Sequence, residues 1–552
     1  MWQPNNNTAA PAFRGGLSSL TLRLLAGRGI IERSQAEEYL HFKTSLLSDP
    51  IELPDMEKAA SRIWQAILKN RKIAVYGDFD ADGVTATAIV TQGLSRLGAQ
   101  VSHYIPNRFT EGYGLHNQSL EMLAAQGVNL IITVDCGISA INEICRLNEL
   151  GVETIITDHH LPPTELPAAY AIVNPHLSTK LLFKELSGAG VAYKLISYLY
   201  GYLGRSREAE DFLALAAIGT VADIVPLVQD NRYLVEMGLR QINQKPSLGI
   251  LELLRNAKLS ESEVNAGKIA WIIGPRINAA GRLENASLAY RLLTAQDRQE
   301  AIALAVQLEN LNARRQDLTN RFFQLAKQQV DINQKILFFQ DEQCPKGVVG
   351  LVAGRICEEY NLPCIAINTE AELCVGSCRS IEGFDITKAL VSCSSLLKRF
   401  GGHAQAAGFS AKKEQLPAIK AHLERYAYDN LKDRDPRPIL HIDTLVKLDE
   451  LSLEVVTEIK RMEPFGEGNK APLFLSENLS VLDWRVMGKE EEHMLVKFTD
   501  GERLLEATAF NMKAKLSPLM KDRLDIVYNL EINEYNGRRN LRANLVDYRI
   551  HK

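Results

Sequence analysis

Three aspartates, Asp78, Asp80 and Asp82, occupy alternate positions in the stretch IAVYGDFDADG at residues 73–83. At the end of an apolar run they repel one another, and a cation is the simplest group that would hold them together. A calcium loop also begins D-x-D-x-D-G, but it requires a bidentate glutamate at its twelfth position. Counted from Asp78 that position is Ile89, and the preceding run has the character of a strand rather than a helix. A solvated acidic loop is the plainer alternative for the triplet taken alone. Further along, Asp135 follows NLIITV; Asp158, His159 and His160 follow ETIIT; and Asp223 follows ALAAIGTVA. Together these side chains are enough for two divalent cations, and an oxygen-rich set with one or two imidazoles suits manganese or magnesium better than zinc. Two such ions about 3.5–4 Å apart can bind one phosphoryl oxygen, generate hydroxide and steady the leaving oxygen of a phosphodiester. For His159-His160 alone, an ordinary pair of surface or core imidazoles is the alternative. The acidic sites that end the neighbouring apolar runs favour the metal.

Those groups can meet only if their segments end at one edge of a sheet. Between residues 73 and 175 short apolar runs (KIAVY, QVSHYIP, NLIITVD, VETIITD, YAIVNP) alternate with helical patterns over about 84–97 and 139–150. The alternation predicts a mostly parallel sheet covered on both faces, with ligands beyond the carboxyl ends of its strands. Strand alternation would also put Asp78, Asp80 and Asp82 on one face. Residues 297–330 carry Ile302, Leu308, Leu311, Leu318 and Phe322 at helical spacing. They predict one long helix of roughly 50 Å, a brace or spacer. A second α/β region follows, with strands KILFF, PCIAIN and LCVGS and a turn-like GSCRS, ending near residue 428. The charged linker KDRDPRP at 432–438 leads to the β-type runs PLFLSE, MLVKFTD, LLEATAF, LDIVYNLEI and LRANLVDY, with a turn at Asn536-Gly537. These predict a small antiparallel barrel. Its aromatics Trp484, Phe498, Phe510, Tyr528 and Tyr535, near Lys489, Lys497, Arg538, Arg539 and Arg542, divide between barrel core and a grip on single strands.

At 552 residues the chain exceeds one core. With 46% hydrophobic and 24% charged residues it has the composition of a globular protein. A net charge of −4 gives no overall bias towards nucleic acid, yet leaves room for a local basic groove. No apolar run reaches bilayer length. The start MWQPNNNTAAPAF lacks the basic and apolar regions of a secretory signal, so the expectation is a cytoplasmic protein without a membrane partner. Eight scattered cysteines include no C-x-x-C pair, and Cys374 and Cys378 have no histidine near them. They read as reduced thiols rather than disulfides or a zinc site. Neither Gly-Lys pair is followed by Ser or Thr, so there is no Walker A motif.

The ordered set GDFDADG, TVDCG, TDHH and GTVADIVPL resembles the DHH phosphoesterase superfamily, and within it the branch of bacterial single-strand-specific 5′→3′ DNA exonucleases. IPNR at 105–108, GPRINAAGRL at 274–283, GVVGLVAGR at 347–355, GSCRS at 376–380, FGGHAQAAGF at 400–409 and PFGEGN at 464–469 extend the resemblance over nearly the whole chain from about residue 17. It implies an α/β multidomain protein: an N-terminal helical segment (1–55), a parallel-sheet DHH catalytic domain (56–225), a helical region with the long connecting helix (226–333), a DHH-associated α/β domain (334–430) and an OB-like β-barrel that binds DNA (437–552). It implies that Asp80, Asp82, Asp135, His159 and Asp223 hold two manganese or magnesium ions, with Asp78 a ligand or close beside them. Asp158 would orient the His159 imidazole, and His160 would face the scissile phosphate. Arg108, Arg276, Asn278, Arg282, Ser377, Arg379 and His403 would face the DNA backbone and 5′ end. Guanidinium groups suit that role through bidentate bonds to phosphate, although a surface ion pair is the alternative for each arginine singly. The implied partners are single-stranded DNA and a helicase or single-strand-binding protein that presents it, and the implied setting is repair and recombination. Two positions depart from the branch: Cys344-Pro345 stands where Trp-His usually precedes GVVG, and Lys470 replaces the proline usual after P-F-G-x-G-N. Two other functions stay open. One is hydrolysis of short oligonucleotides, cyclic dinucleotides or pyrophosphate, whose enzymes lack the barrel. The other is a non-catalytic single-strand-binding or replication scaffold, which would have lost some of the acidic motifs.

Overall fold

The computed structural model describes residues 1–5, 13, 16–41, 47–260, 264–435, 437–488, 491–516, 519, 521–535 and 538–551. Lys489 and the expected turn at Asn536-Gly537 fall outside them, as do the side chains of Tyr535 and Arg538. The chain forms two compact units: Ser48–Val225 with Met237–Pro438, and Met1–Leu47 with Pro226–Glu236 and Ile439–Lys552.

In the first unit five parallel strands form one sheet. Lys72–Gly77 lies between Gln100–Tyr104 and Leu130–Val134, and Glu153–Thr157 and Ala171–Val173 complete it. Leu130, Ile131, Ile132, Ile155 and Ile156 are fully buried, because crossover helices cover both faces of the central strands. The helix Ala81–Arg96 packs against Gly188–Tyr202 so closely that a Cβ on Gly93 would lie 2.8 Å from Ile196 Cδ1. Each aliphatic side chain buried there contributes about 1.5–3 kcal/mol. The strand order reverses at Lys72–Gly77, which opens a crevice beyond Gly77 and Val134.

The long helix runs Arg298–Gln329, about 48 Å, and Asp297 caps it by accepting from Glu300 N. Phe322, Phe323 and Ala326 near its end belong to the core of a second sheet. The order there is Arg399–His403, Ala406–Lys412, Leu373–Arg379, Cys364–Asn368, Leu337–Asp341, and only the last two strands run parallel. GSCRS is therefore strand, not turn, through Arg379. Cys374, Gly376 and Cys378 alternate inward with Val375, Ser377 and Arg379 half-exposed, and that period holds the stretch in the sheet.

In the second unit the helices Ser19–Gly27 and Arg33–His41 contribute Leu20, Leu24, Leu25, Ala36 and Leu40 to one core with the barrel residues Phe474, Phe498 and Tyr528. The barrel closes through Phe474–Met487 on Leu524–Tyr535. It is not purely antiparallel, since Leu504–Ala509 pairs parallel with Arg538–Ile550. Pro226–Glu236 joins this unit through Arg232, whose buried guanidinium lies 3.8 Å from the Tyr39 ring and donates to the carbonyls of Tyr39, Arg461 and Glu463. PFGEGN holds the same segment, Leu227 N donating to Glu467 O at 2.7 Å, and closes on itself through Asn469 Nδ2, which donates to Pro464 O at 2.8 Å. Among the described residues no helix is long and apolar enough to cross a membrane.

Candidate metal centre

The central strand ends at Gly77 and passes straight into a helix. Asp80 caps that helix, its Oδ1 accepting from Asp82 N at 3.0 Å and Gly83 N at 3.1 Å. The three aspartates thus share a strand-to-helix turn and not, as alternation predicts, one face of a strand. Gly83 makes the turn possible, because a Cβ there would sit 2.6 Å from Asp78 Cβ. Asp82 is buried and accepts from Gly188 N at 2.6 Å and Ala189 N at 2.9 Å, at the start of Gly188–Tyr202. Asp135 follows Leu130–Val134 with a left-handed φ of 60°, a strained conformation that a functional position retains. Asp223 does not follow a strand. It caps the C-terminus of the helix Leu213–Ala222, an apolar run too uniform for its period to separate helix from strand.

His159 Nε2 lies 3.0 Å from Asp135 Oδ1, 3.6 Å from Asp223 Oδ2 and 4.0 Å from Asp82 Oδ2. Asp78 Oδ1 and Asp135 Oδ1 are buried, yet neither accepts a hydrogen bond. Asp158 Oδ1 accepts from the amides of His159 and His160 and lies 2.7 Å from His160 Nδ1, while Oδ2 accepts from Ile138 N. Asp158 therefore orients His160, not His159 as the resemblance implies. Donor atoms of Asp78, Asp80 and Asp135 lie within 4.8 Å of one another, as do those of Asp82, His159 and Asp223 and those of Asp135, His159 and His160. Two cations fit, with Asp135 between the first two sets. The unsatisfied carboxylate oxygens and the donor chemistry suit hard ions.

Electrostatics support that fit. Burial first, then mutual repulsion, pushes Asp78, Asp135 and Asp223 well above the usual carboxylate range. Asp82 is raised by burial too, against the pull of His159. Burial would lower His159, but Asp223, Asp82, Asp158 and Asp80 outweigh it and hold the imidazole above its ordinary value. Asp158 is lowered despite its burial, because His160 and His159 face it and Ile138 N–H donates to it. A bound divalent cation would supply the charge this cluster lacks.

Three arginines face the same groups. Arg108 stacks 4.1 Å from the Phe79 ring, and its Nε has no acceptor. Arg379 donates to Ser377 Oγ at 3.3 Å and Cys378 O at 2.8 Å. It lines one cleft of about 410 Å³ with Asp78, Asp80, Asp135, His160 and Asp223. Arg282 donates to Gly347 O at 3.3 Å and is pushed down to about 9 by burial and by Arg108, Arg379 and Arg315. Among the described residues Arg108, Arg282 and Arg379 form no ion pair with a carboxylate.

Residues 72–220 match the family described as DHH family, N-terminal domain; 333–429 match the DHHA1 domain; and 442–547 match the RecJ OB domain. The chain is 37% identical to the single-stranded-DNA-specific exonuclease RecJ of Bacillus subtilis (strain 168), over 95% of its own length and 67% of the relative's. To the RecJ of Haemophilus influenzae it is 36% identical over 91% of each chain. The chain belongs to the RecJ family. A crystal structure of RecJ in complex with Mn2+ from Thermus thermophilus matches it with a TM-score of 0.86 at 32% identity, covering 100% of this chain and 80% of that one.

Within this RecJ fold, two residues of the expected DNA-facing set are engaged elsewhere. Arg276 pairs with Glu309 of the long helix at 2.6 and 3.1 Å, and Asn278 Oδ1 accepts from Ala81 N at 2.9 Å. Both hold the scaffold. His403 stands exposed on its edge strand, its ring 6.4 Å from that of His160. Cys344 and Pro345 begin the helix Lys346–Tyr360: Cys344 N donates to Asp341 Oδ1, and the thiol is buried. In the barrel Phe498 and Tyr528 are core, whereas Trp484 and Phe510 are exposed. Lys497 pairs with Asp483, Arg542 with Glu506 and Arg539 with Glu534. Sequence reasoning missed Tyr113, whose hydroxyl lies 3.4 Å from His160 Nδ1, and Phe79, which carries Arg108. Phe79 sits inside the acidic motif and could have been found there. Tyr113 has no local signal.

Proposed function

We propose that this RecJ-family chain is a metal-dependent exonuclease on single-stranded DNA that works 5′→3′ and releases mononucleotides. One observation carries the reading: a carboxylate–imidazole cluster short of positive charge shares one cleft with Arg379, which with Arg108 and Arg282 belongs to an arginine cluster without carboxylate partners. A phosphodiester with two divalent ions satisfies both. Asp78, Asp80 and Asp135 would hold one ion, and Asp82, His159 and Asp223 the other. When bound, manganese or magnesium supplies Lewis acidity and lowers the pKa of water at the phosphate. The chain's own groups do the rest. The backbone amides at Gly188 and Ala189 fix Asp82. Asp158 engages His160 through Nδ1 and leaves Nε2 to contact the scissile phosphate. Arg108, Arg282 and Arg379 bind phosphoryl oxygens, and Ser377 with Arg379 receives the terminal phosphate, which sets the polarity.

In this reading residues 56–225 carry the chemistry, 334–430 the end recognition and 437–552 the grip on the strand, with Trp484 and Phe510 as its exposed aromatics. The setting is repair and recombination, with a helicase or single-strand-binding protein presenting the strand. Strands labelled at the 5′ or the 3′ end, with and without manganese, test it against the same strands as duplex. Metal-dependent release of the 5′ label as a mononucleotide from single strands is expected. Release from the 3′ end, equal attack on duplex, or binding without hydrolysis would each overturn it.

A further inference from the structure

Two motifs of the sequence, GTVADIVPL at 219–227 and PFGEGN at 464–469, meet in the folded chain. The first carries Asp223 and ends in Pro226 and Leu227, where the chain passes into the second unit. The second closes over that end. Leu227 N donates to Glu467 O at 2.7 Å. A Cβ on Gly466 would lie 2.6 Å from Leu227 Cδ1, and one on Gly468 would lie 2.9 Å from Pro226 Cβ. The clamp is tied internally: Gly466 N donates to Asn469 O at 2.9 Å, and the buried Asn469 donates through Nδ2 to Met462 O and Pro464 O while its Oδ1 accepts from the Tyr39 hydroxyl at 2.8 Å. Only Ile224 and Val225 separate the clamped residues from Asp223, and both are stiff. Ile224 holds a φ of 61°, a conformation seldom adopted by a β-branched residue, and Val225 is restricted by the proline after it. Asp223 depends on such support more than its neighbour does. Two backbone amides hold the Asp82 carboxylate, whereas among the described residues the Asp223 carboxylate accepts no hydrogen bond and faces His159 Nε2 at 3.6 Å.

We infer that Gly466, Gly468 and Asn469 are positioning residues for Asp223, an inference that rests on the two-ion reading above. By fixing Pro226 and Leu227 they limit the backbone freedom of the ligand, and so set the affinity of the cation held by Asp82, His159 and Asp223. Groups that orient a metal ligand without touching the ion change its affinity by about 10–100-fold when removed. The cation held by Asp78, Asp80 and Asp135 is not joined to the clamp, so its affinity is independent of it.

The test uses the full chain and manganese alone, with free Mn2+ read from its electron paramagnetic resonance signal, so that neither DNA nor turnover enters. Wild type should bind two ions. Gly468→Ala pushes on the Pro226 ring; a glycine inserted between Val225 and Pro226 leaves every clamp contact in place and slackens the link. Each should weaken one ion about tenfold and leave the other as in wild type. Gly501→Ala is the control, because Gly501 also has a left-handed φ, 107°, but a Cβ there meets nothing within 4 Å; it should bind both ions as wild type does. Asp223→Ala combined with Gly468→Ala should bind no more weakly than Asp223→Ala alone, since the clamp acts through that residue. Wild-type affinity for both ions in the insertion variant and in Gly468→Ala would overturn the clamp. So would equal weakening of both ions, the same loss in Gly501→Ala, or a further loss in the double variant. Wild type that binds fewer than two ions would overturn the two-ion reading and the clamp with it.

Discussion

The carboxylates Asp78, Asp82, Asp135 and Asp223 and the arginines Arg108, Arg282 and Arg379 are both crowded with their own sign of charge, but they are held differently. Asp82 is fixed by backbone amides and Asp80 by capping its own helix, so short side chains stand on rigid elements. The arginines reach in from a loop, a helix and a strand of the second sheet, and they rest on a ring, a carbonyl and a hydroxyl. The first arrangement fixes positions, as metal coordination demands. The second gives reach and bidentate donors, as a flexible phosphate backbone demands. Burial raises the acids and lowers the arginines, and the attraction of Arg108 for Asp78 and Asp80 does not outweigh it. Arg276 shows the contrast within one helix. It has Glu309, and its guanidinium is already neutralised.

The comparison breaks most readily at the carboxylates. Asp82→Ala or Asp223→Ala should reduce cleavage at least about a thousandfold, ~4 kcal/mol of transition-state stabilisation, with folding retained by circular dichroism. Near wild-type turnover of either purified variant would remove the metal assignment. On the arginine side, Arg379→Ala should shrink the preference for 5′-phosphorylated over 5′-hydroxyl ends by about tenfold or more, since a charge-assisted bond contributes about 1.5–3 kcal/mol. Initial rates on the two substrates give the ratio, and an unchanged ratio would place end recognition elsewhere.

Acidity sharpens the contrast further. Without divalent ions Asp78, Asp135 and Asp223 hold protons more tightly folded than unfolded. The stability this confers is fully present below the ordinary value of 3.8 and is lost as pH rises through the raised values. The melting temperature of the chelated protein should therefore fall with rising pH, and manganese should raise it more at about pH 8 than at about pH 5. A manganese effect independent of pH would mean that the ions do not bind at these carboxylates. The smallest effect separates neighbours on one helix: Arg282→Ala should reduce the salt slope of DNA binding by about one, whereas Arg276→Ala should leave it in place. Equal slopes for the two variants would show that the Glu309 pair does not set Arg276 apart.

The chemistry was legible in the sequence because its carriers are local. Asp78, Asp80 and Asp82 lie within one turn, Asp158 and the two histidines are adjacent, and apolar runs of strand length announce a buried parallel sheet before each set except Asp223's. The long helix was legible for the same reason, since its period is written in Leu308, Leu311 and Phe322. The sequence also determined the family, through motifs whose order spans nearly the whole chain. Tertiary structure alone decided the partners. That Asp223 ends a helix, that GSCRS stays in a strand, that Asp158 serves His160, that the barrel contains a parallel pair, and that Pro226–Glu236 packs with the barrel all depend on residues far away in the chain. So does the difference between Arg276, paired with Glu309, and Arg282, facing three other arginines. Sequence states which groups a chain carries and how they are spaced along it. Whether a charge is answered by the protein or left for a ligand depends on what the folded chain brings within a few ångströms, where Coulomb energy is large and water is excluded.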